Sequence, residues 1–210
     1  MKKLLLTFVL IAGFATLSFG QITGSKHDFS AAAWNNSVGD QICIVCHTPH
    51  NAMTISGGGA PLWNHRESTT PSFTVYASTT MNATVGQPSG TSKLCLGCHD
   101  GSVGVSDFGG VTAGLDKLTS SDNGYLGSNL SNDHPISFTY DAALASTDVG
   151  LFDPITTTSG LPGGSTIDVD LLFGHKLECA SCHDVHGTAN DYLLRVDNAG
   201  SALCLTCHDK

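Results

Sequence analysis

Four segments of the chain repeat one pattern, Cys-x-x-Cys followed at once by His: Cys43-Ile44-Val45-Cys46-His47, Cys95-Leu96-Gly97-Cys98-His99, Cys179-Ala180-Ser181-Cys182-His183 and Cys204-Leu205-Thr206-Cys207-His208. Together they consume all eight cysteines, and with only 10 His in 210 residues a His after every pair is not a coincidence. Redox disulfides or paired zinc knuckles would also use Cys-x-x-Cys, but neither needs a His in the next position four times over. Covalent attachment of c-type haem does. Two thiols three positions apart reach the two vinyl groups of one macrocycle as thioethers, and the adjacent imidazole becomes the proximal iron ligand. The expected complement is four covalently attached haem c groups, with His47, His99, His183 and His208 as proximal ligands.

That complement bears on what the interior can be made of. Aromatic residues are 7% of the chain and glycines number 24, which leaves little for a densely packed hydrocarbon core. The expected fold is therefore a loop-rich, mostly irregular multihaem cytochrome c whose core is a stack of haems, with short helices mostly at the haem motifs and a few short strands. Phe73-Thr74-Val75-Tyr76, Ile136-Ser137-Phe138-Thr139-Tyr140 and Ile167-Asp168-Val169-Asp170-Leu171 alternate as strands do. Ser201, after Gly200, stands where it can cap the last helix. The motifs also repeat in order: the first and third carry a second His three residues on, at His50 and His186, whereas the second and fourth share a Ser-x-Leu-Cys-Leu-x-Cys-His-Asp frame. The organisation expected is a first haem-pair half over 21–105, a Gly/Ser/Thr-rich haem-poor connection over 106–165, and a compact second half over 166–210.

Residues 1–20 read as a signal peptide: Met1-Lys2-Lys3, an apolar run from Leu4 to Leu17, and Ser18-Phe19-Gly20 before the cut. The run is too short for a comfortable membrane span and nothing later is long enough, so an exported protein without a transmembrane segment is expected. Gln21 stands where a lipoprotein would need Cys. Processing leaves 7 basic against 18 acidic residues, a net charge of −11. Such a polypeptide repels nucleic acid and anionic membrane surfaces.

Six histidines remain for four distal positions: His27, His50, His65, His134, His175 and His186. Methionine could serve and would raise the potential, but only Met53 and Met81 survive processing, so bis-histidine ligation at low potential is expected for most or all sites. His47 and His50, like His183 and His186, project from one face of a helical turn. Axial ligands must approach an iron from opposite sides, so His50 and His186 should each reach a neighbouring haem. His134 is held before Pro135, His27 lies near the mature start, and His65 follows Leu62-Trp63-Asn64. His175, four residues before Cys179, ranks last.

The paired motifs resemble the doubled CxxCH family of multihaem cytochromes. His27-Asp28, Cys46-His47-Thr48-Pro49-His50, Pro61-Leu62-Trp63-Asn64-His65, Asp133-His134-Pro135 and Cys204 to His208 are similar, more narrowly, to the outer-surface tetrahaem cytochrome E type. The resemblance implies an extracellular filament in which stacked haems carry electrons and a His of one subunit can ligate a haem of the next. Self-association is then expected, with other redox proteins or extracellular acceptors as partners. A soluble periplasmic electron carrier is the alternative, and a multihaem reductase is the third reading. A reductase needs an open axial position, against which the surplus of histidines argues. An electron-transfer protein, not an enzyme, is expected.

Overall fold

The computed structural model describes residues 21–34, 41–54, 62–187 and 189–209. The proposed signal peptide and Pro61 lie outside the described residues. Irregular chain dominates, with a few short helices and one two-stranded sheet. The helices are α1 (Gly90–His99), α2 (Ala142–Thr147), α3 (Ile167–Leu171), α4 (Cys179–Cys182) and α5 (Ala202–Cys207). Strand β1 (Phe138–Thr139) pairs antiparallel with β2 (Lys176–Leu177), Phe138 opposite Leu177 and Thr139 opposite Lys176. No helix among the described residues is long and apolar enough to cross a membrane.

Three of the helices carry haem motifs, whereas the first motif is a turn closed by Cys46 N–H and His47 N–H onto the Cys43 carbonyl at 3.2 and 2.8 Å. After the turn or helix, the His of motifs one, three and four enters a single antiparallel bridge: His47 with Trp63, His183 with Leu194, His208 with Leu151. Flanking backbone bonds clamp it on both sides, as when Asp184 N–H donates to Leu193 O at 2.7 Å and Arg195 N–H to Cys182 O at 2.9 Å. The second motif departs from this. His99 stays helical, and Asp100 N–H continues the ladder to Leu96 O at 3.2 Å before the chain turns at Gly101. So the fourth motif, which shares its sequence frame with the second, shares its backbone exit with the first and third.

A hydrocarbon core does exist beside the motifs. Phe138, Tyr140, Ile167, Leu171, Leu172 and Leu177 are buried together, with Leu151, Phe152 and Cys207 packed against them. Tyr140 donates its hydroxyl to Phe152 O at 2.6 Å and lies 3.3 Å from Cys207 O, which ties this core to the last motif.

Residues 167–171 correct one expectation, for they form helix α3 and not a strand. The apolar positions 167, 169 and 171 satisfy a two-residue period, but Ile167 and Leu171 also stand four apart on one helical face. Those two are buried while Val169 is 68% exposed, the pattern of a helix. Thr166 accepts from Val169 N–H at 3.4 Å, and Asp168 and Asp170 add negative charge to the first turn, where the helix dipole favours it. The other two alternating segments shrink. Only Thr74 of 73–76 makes a bridge, parallel to Asn129, and 136–140 retains two strand residues. Ser201 occupies the cap position of α5 but in a left-handed conformation, φ 65°, without a side-chain cap bond. Asn198 does that work, its Oδ1 accepting from Leu203 N–H at 3.2 Å.

Candidate haem-binding sites

Three of the four motif histidines face a histidine from elsewhere in the chain. The ring centroids of His47 and His186 are 6.1 Å apart, those of His99 and His27 5.9 Å, and those of His208 and His134 6.3 Å. A metal held by two imidazole nitrogens at about 2.0–2.1 Å separates them by about 4 Å, and the two half-rings bring the centroids to about 6 Å. All three pairs have that separation. The His47–His186 pair sets the first motif beside the third.

Three imidazoles, two of them from these pairs, hold Nδ1 against a backbone carbonyl. His99 Nδ1 lies 2.7 Å from Gly124 O, His134 Nδ1 2.9 Å from Pro135 O, and His183 Nδ1 2.9 Å from Tyr192 O. An Nδ1–H donated to a carbonyl fixes the tautomer and leaves Nε2 with its lone pair for a metal. Burial, reinforced by His99 and His183, pulls His27 down to about 4, so its ring is neutral near pH 7, as a ligand must be. His27 Nδ1 and Trp63 Nε1, beside His47, are buried without a protein partner. These residues fit a bis-imidazole iron centre.

The remaining candidates are placed differently. His65 is 1% exposed, with Nδ1 2.9 Å from Arg66 O and Nε2 3.0 Å from Gly104 O and 3.4 Å from Cys98 Sγ. It sits at the edge of the second motif and faces none of the motif histidines. His175 pairs with Asp168 at 2.7 Å and is largely exposed. His50 is exposed on the turn after His47, where Thr48 Oγ1 donates to its carbonyl at 2.8 Å. His183 faces no second imidazole at ligating separation among the described residues.

Cysteines of successive motifs lie near enough to shift each other's ionisation. Cys46 is close enough to Cys98 to raise it, and burial together with that neighbour and nearby carboxylates pushes the Cys98 thiol up to about 12. Cys95 and Cys179 lie near enough to perturb each other, and that neighbour together with burial holds Cys95 well above the usual thiol range. Burial, then Cys182 and Cys204, pushes Cys207 up to about 11. Thiols in this state keep their protons at neutral pH. In attachment each S–H adds across a vinyl double bond, sulfur to one carbon and hydrogen to the other. Neighbouring motifs therefore bring their attachment points together, first to second, second to third and third to fourth.

Gly97, between the cysteines of the second motif, is needed for this packing: a Cβ there would lie 2.8 Å from the Arg66 carbonyl oxygen. Sequence alone marks the Cys and His but not the carbonyl acceptors at Gly124 and Tyr192, which lie 25 and 9 positions from their imidazoles.

With this geometry in place, a family model described as the doubled CXXCH motif matches residues 174–210, the third and fourth motifs with the helices α4 and α5 that carry them. The match supports a multihaem c-type cytochrome. No curated protein matches the chain. The CXXCH motifs indicate covalently bound haem c, whose iron, when bound, supplies one-electron redox chemistry. In such a cytochrome Cys179, Cys182, Cys204 and Cys207 would hold the porphyrin edges, and His183 and His208 the irons.

Proposed function

We propose that the chain is a tetrahaem c-type cytochrome that passes electrons along closely packed haems and serves as the subunit of an extracellular electron-conducting filament. It is exported by its first 20 residues and acts as a carrier, without turning over a substrate. The observation that carries the reading is the His47–His186 pair, 6.1 Å between centroids, in which a His belonging to one motif is set opposite the iron ligand of another. Such an exchange makes two haems mutually dependent and neighbouring. The mutual influence of cysteines in successive motifs supports extending that neighbourhood to the second and fourth motifs, so that an electron entering at one end meets a haem at each step.

The filament is supported by the family-like histidine contexts and by His50. This imidazole is exposed, lies on the same turn as His47, and is the counterpart of His186 in the first motif. Offered outward, it can complete the iron on His183 of a neighbouring subunit. The acidic charge opposes association of bare surfaces, and a coordinate bond with burial of haem edges is the kind of attraction that overcomes it.

The test is mass spectrometry of the secreted protein beside electron microscopy of native culture supernatant. The expected result is a polypeptide carrying four haems, in filaments. Four haems in a discrete monomer retained in the periplasm would establish the soluble-carrier reading instead, and free thiols would overturn the tetrahaem assignment.

A further inference from the structure

Glu178 is a buried carboxylate, 1% exposed, set between α1 and α4 immediately before Cys179. Three serine hydroxyls converge on it: Ser92 at Oε2, Ser137 at Oε2 from 2.8 Å, and Ser89 at Oε1 from 3.3 Å. Each hydroxyl already accepts from an N–H. Ser92 Oγ accepts from Cys179 N–H at 2.9 Å, Ser137 Oγ from Ser89 N–H at 3.0 Å, and Ser89 Oγ from the Lys176 ammonium at 3.4 Å. The one proton of each hydroxyl is thus directed at the carboxylate, and an ionised, acceptor-only carboxylate is what three converging donors serve. Gly90, at φ +51°, clears the space: a Cβ there would lie 3.1 Å from Glu178 Oε1.

The charge lies where two haems are attached. Cys179 follows Glu178 directly, Ser92 precedes Cys95 by one helical turn, and Cys179 N–H donates to Ser92 Oγ at 2.9 Å, which brings the two motifs together at the carboxylate. Lys176 is one hydroxyl removed from the carboxylate, whereas Lys93 of α1 is taken up by Glu67 and Asp100 by Ser68 and Thr70. A negative charge held away from water stabilises the ferric over the ferrous state, and net charge and burial are established levers on haem potential.

Resting on the multihaem reading, we infer that Glu178 is an electrostatic control residue that lowers the potentials of the two haems attached at Cys95/Cys98 and Cys179/Cys182, and leaves the outer two alone. It touches neither iron and acts through its field.

The experiment uses the full, haem-loaded cytochrome and its Glu178→Gln, Glu178→Asp and Lys176→Met variants. Haem number is read by mass spectrometry, spin state by electron paramagnetic resonance, and individual potentials by titration with dithionite followed on resolved haem-methyl resonances. In Glu178→Gln the ferrous-to-ferric ratio of two haems should rise about tenfold at fixed ambient potential, about 59 mV for a one-electron couple. Glu178→Asp, which keeps the charge, should stay near the parent. Lys176→Met should move the same two haems the opposite way by a smaller factor. A fully loaded, low-spin Glu178→Gln protein with unmoved potentials overturns the inference, and so does an equal shift of all four haems. Should Glu178→Gln fail to fold, Lys176→Met decides, and no downward shift of that pair overturns it. A parent protein without haem at the second and third motifs fails at the multihaem reading itself, before Glu178 is tested.

Discussion

His186 and Tyr140 show how single side chains set the properties of whole centres. With its ring centroid 6.1 Å from that of His47, His186 would be the distal ligand of the first-motif haem on the proposed reading, so His186→Ala should convert one haem, and only one, to a high-spin state that binds carbon monoxide. Optical and paramagnetic resonance spectra of the ferric and ferrous forms measure this, and four unchanged low-spin haems would contradict the pairing. Tyr140 holds two carbonyls with one hydroxyl, and burial raises its ionisation well above the ordinary phenol value. The unfolded chain ionises this tyrosine near about pH 10 and the folded one does not, so the unfolded state binds fewer protons above that pH. Stability due to Tyr140 is therefore whole below about pH 10 and is lost as pH rises beyond it. Tyr140→Phe should cost about 1 kcal/mol near neutrality and flatten the alkaline loss, as denaturant titrations at pH 7 and 11 would measure.

At the scale of elements, α3 makes the most direct case for how the same residues can be read two ways. Ile167 is fully buried and Val169 mostly exposed, so Ile167→Ala should destabilise by about 2–5 kcal/mol while Val169→Thr changes stability by less than about 0.5 kcal/mol. Equal costs in thermal unfolding would restore a strand-like burial pattern. Five residues are too few for periodicity to separate a strand from a helix, and what tips the balance is Thr166 and the two aspartates at the start. The motifs were legible because thioether attachment and ligation fix residue type at fixed local spacing. The loop-rich character followed from the glycines and the scarcity of aromatics. Which imidazole faces which was not legible, since His27 and His99 stand 72 positions apart and nothing local pairs them. His65 has a sequence context like that of a ligand, and its ring nitrogens lie near two backbone carbonyls and Cys98 Sγ, a setting its sequence neighbours do not announce. The cap of α5 eluded sequence for a similar reason: a left-handed Ser201 hands the role to Asn198.

For the whole molecule, the arrangement of histidines separates two variants that sequence leaves side by side. His27 is paired within the chain, buried against His99, whereas His50 is turned outward. His50→Ala should leave subunits that keep their haems but no longer form filaments, with one haem per chain lacking a distal ligand. His27→Ala should alter the haem on His99 and spare the intersubunit bond. Filament length by microscopy, followed together with the spin-state spectrum, measures both, and normal filaments of six-coordinate His50→Ala cytochrome would remove His50 from the contact.

The proximity of Cys95 and Cys179 also bears on the order of events during biogenesis. Two free thiols near enough to shift each other's ionisation are open to oxidation to a disulfide, and an oxidising compartment favours that bond. A polypeptide that docked α1 against α4 before receiving its prosthetic groups would lock its second and third motifs together through sulfurs that each macrocycle requires. On the tetrahaem reading, attachment would then precede docking, each thioether closing off one wrong partner before the chain condenses.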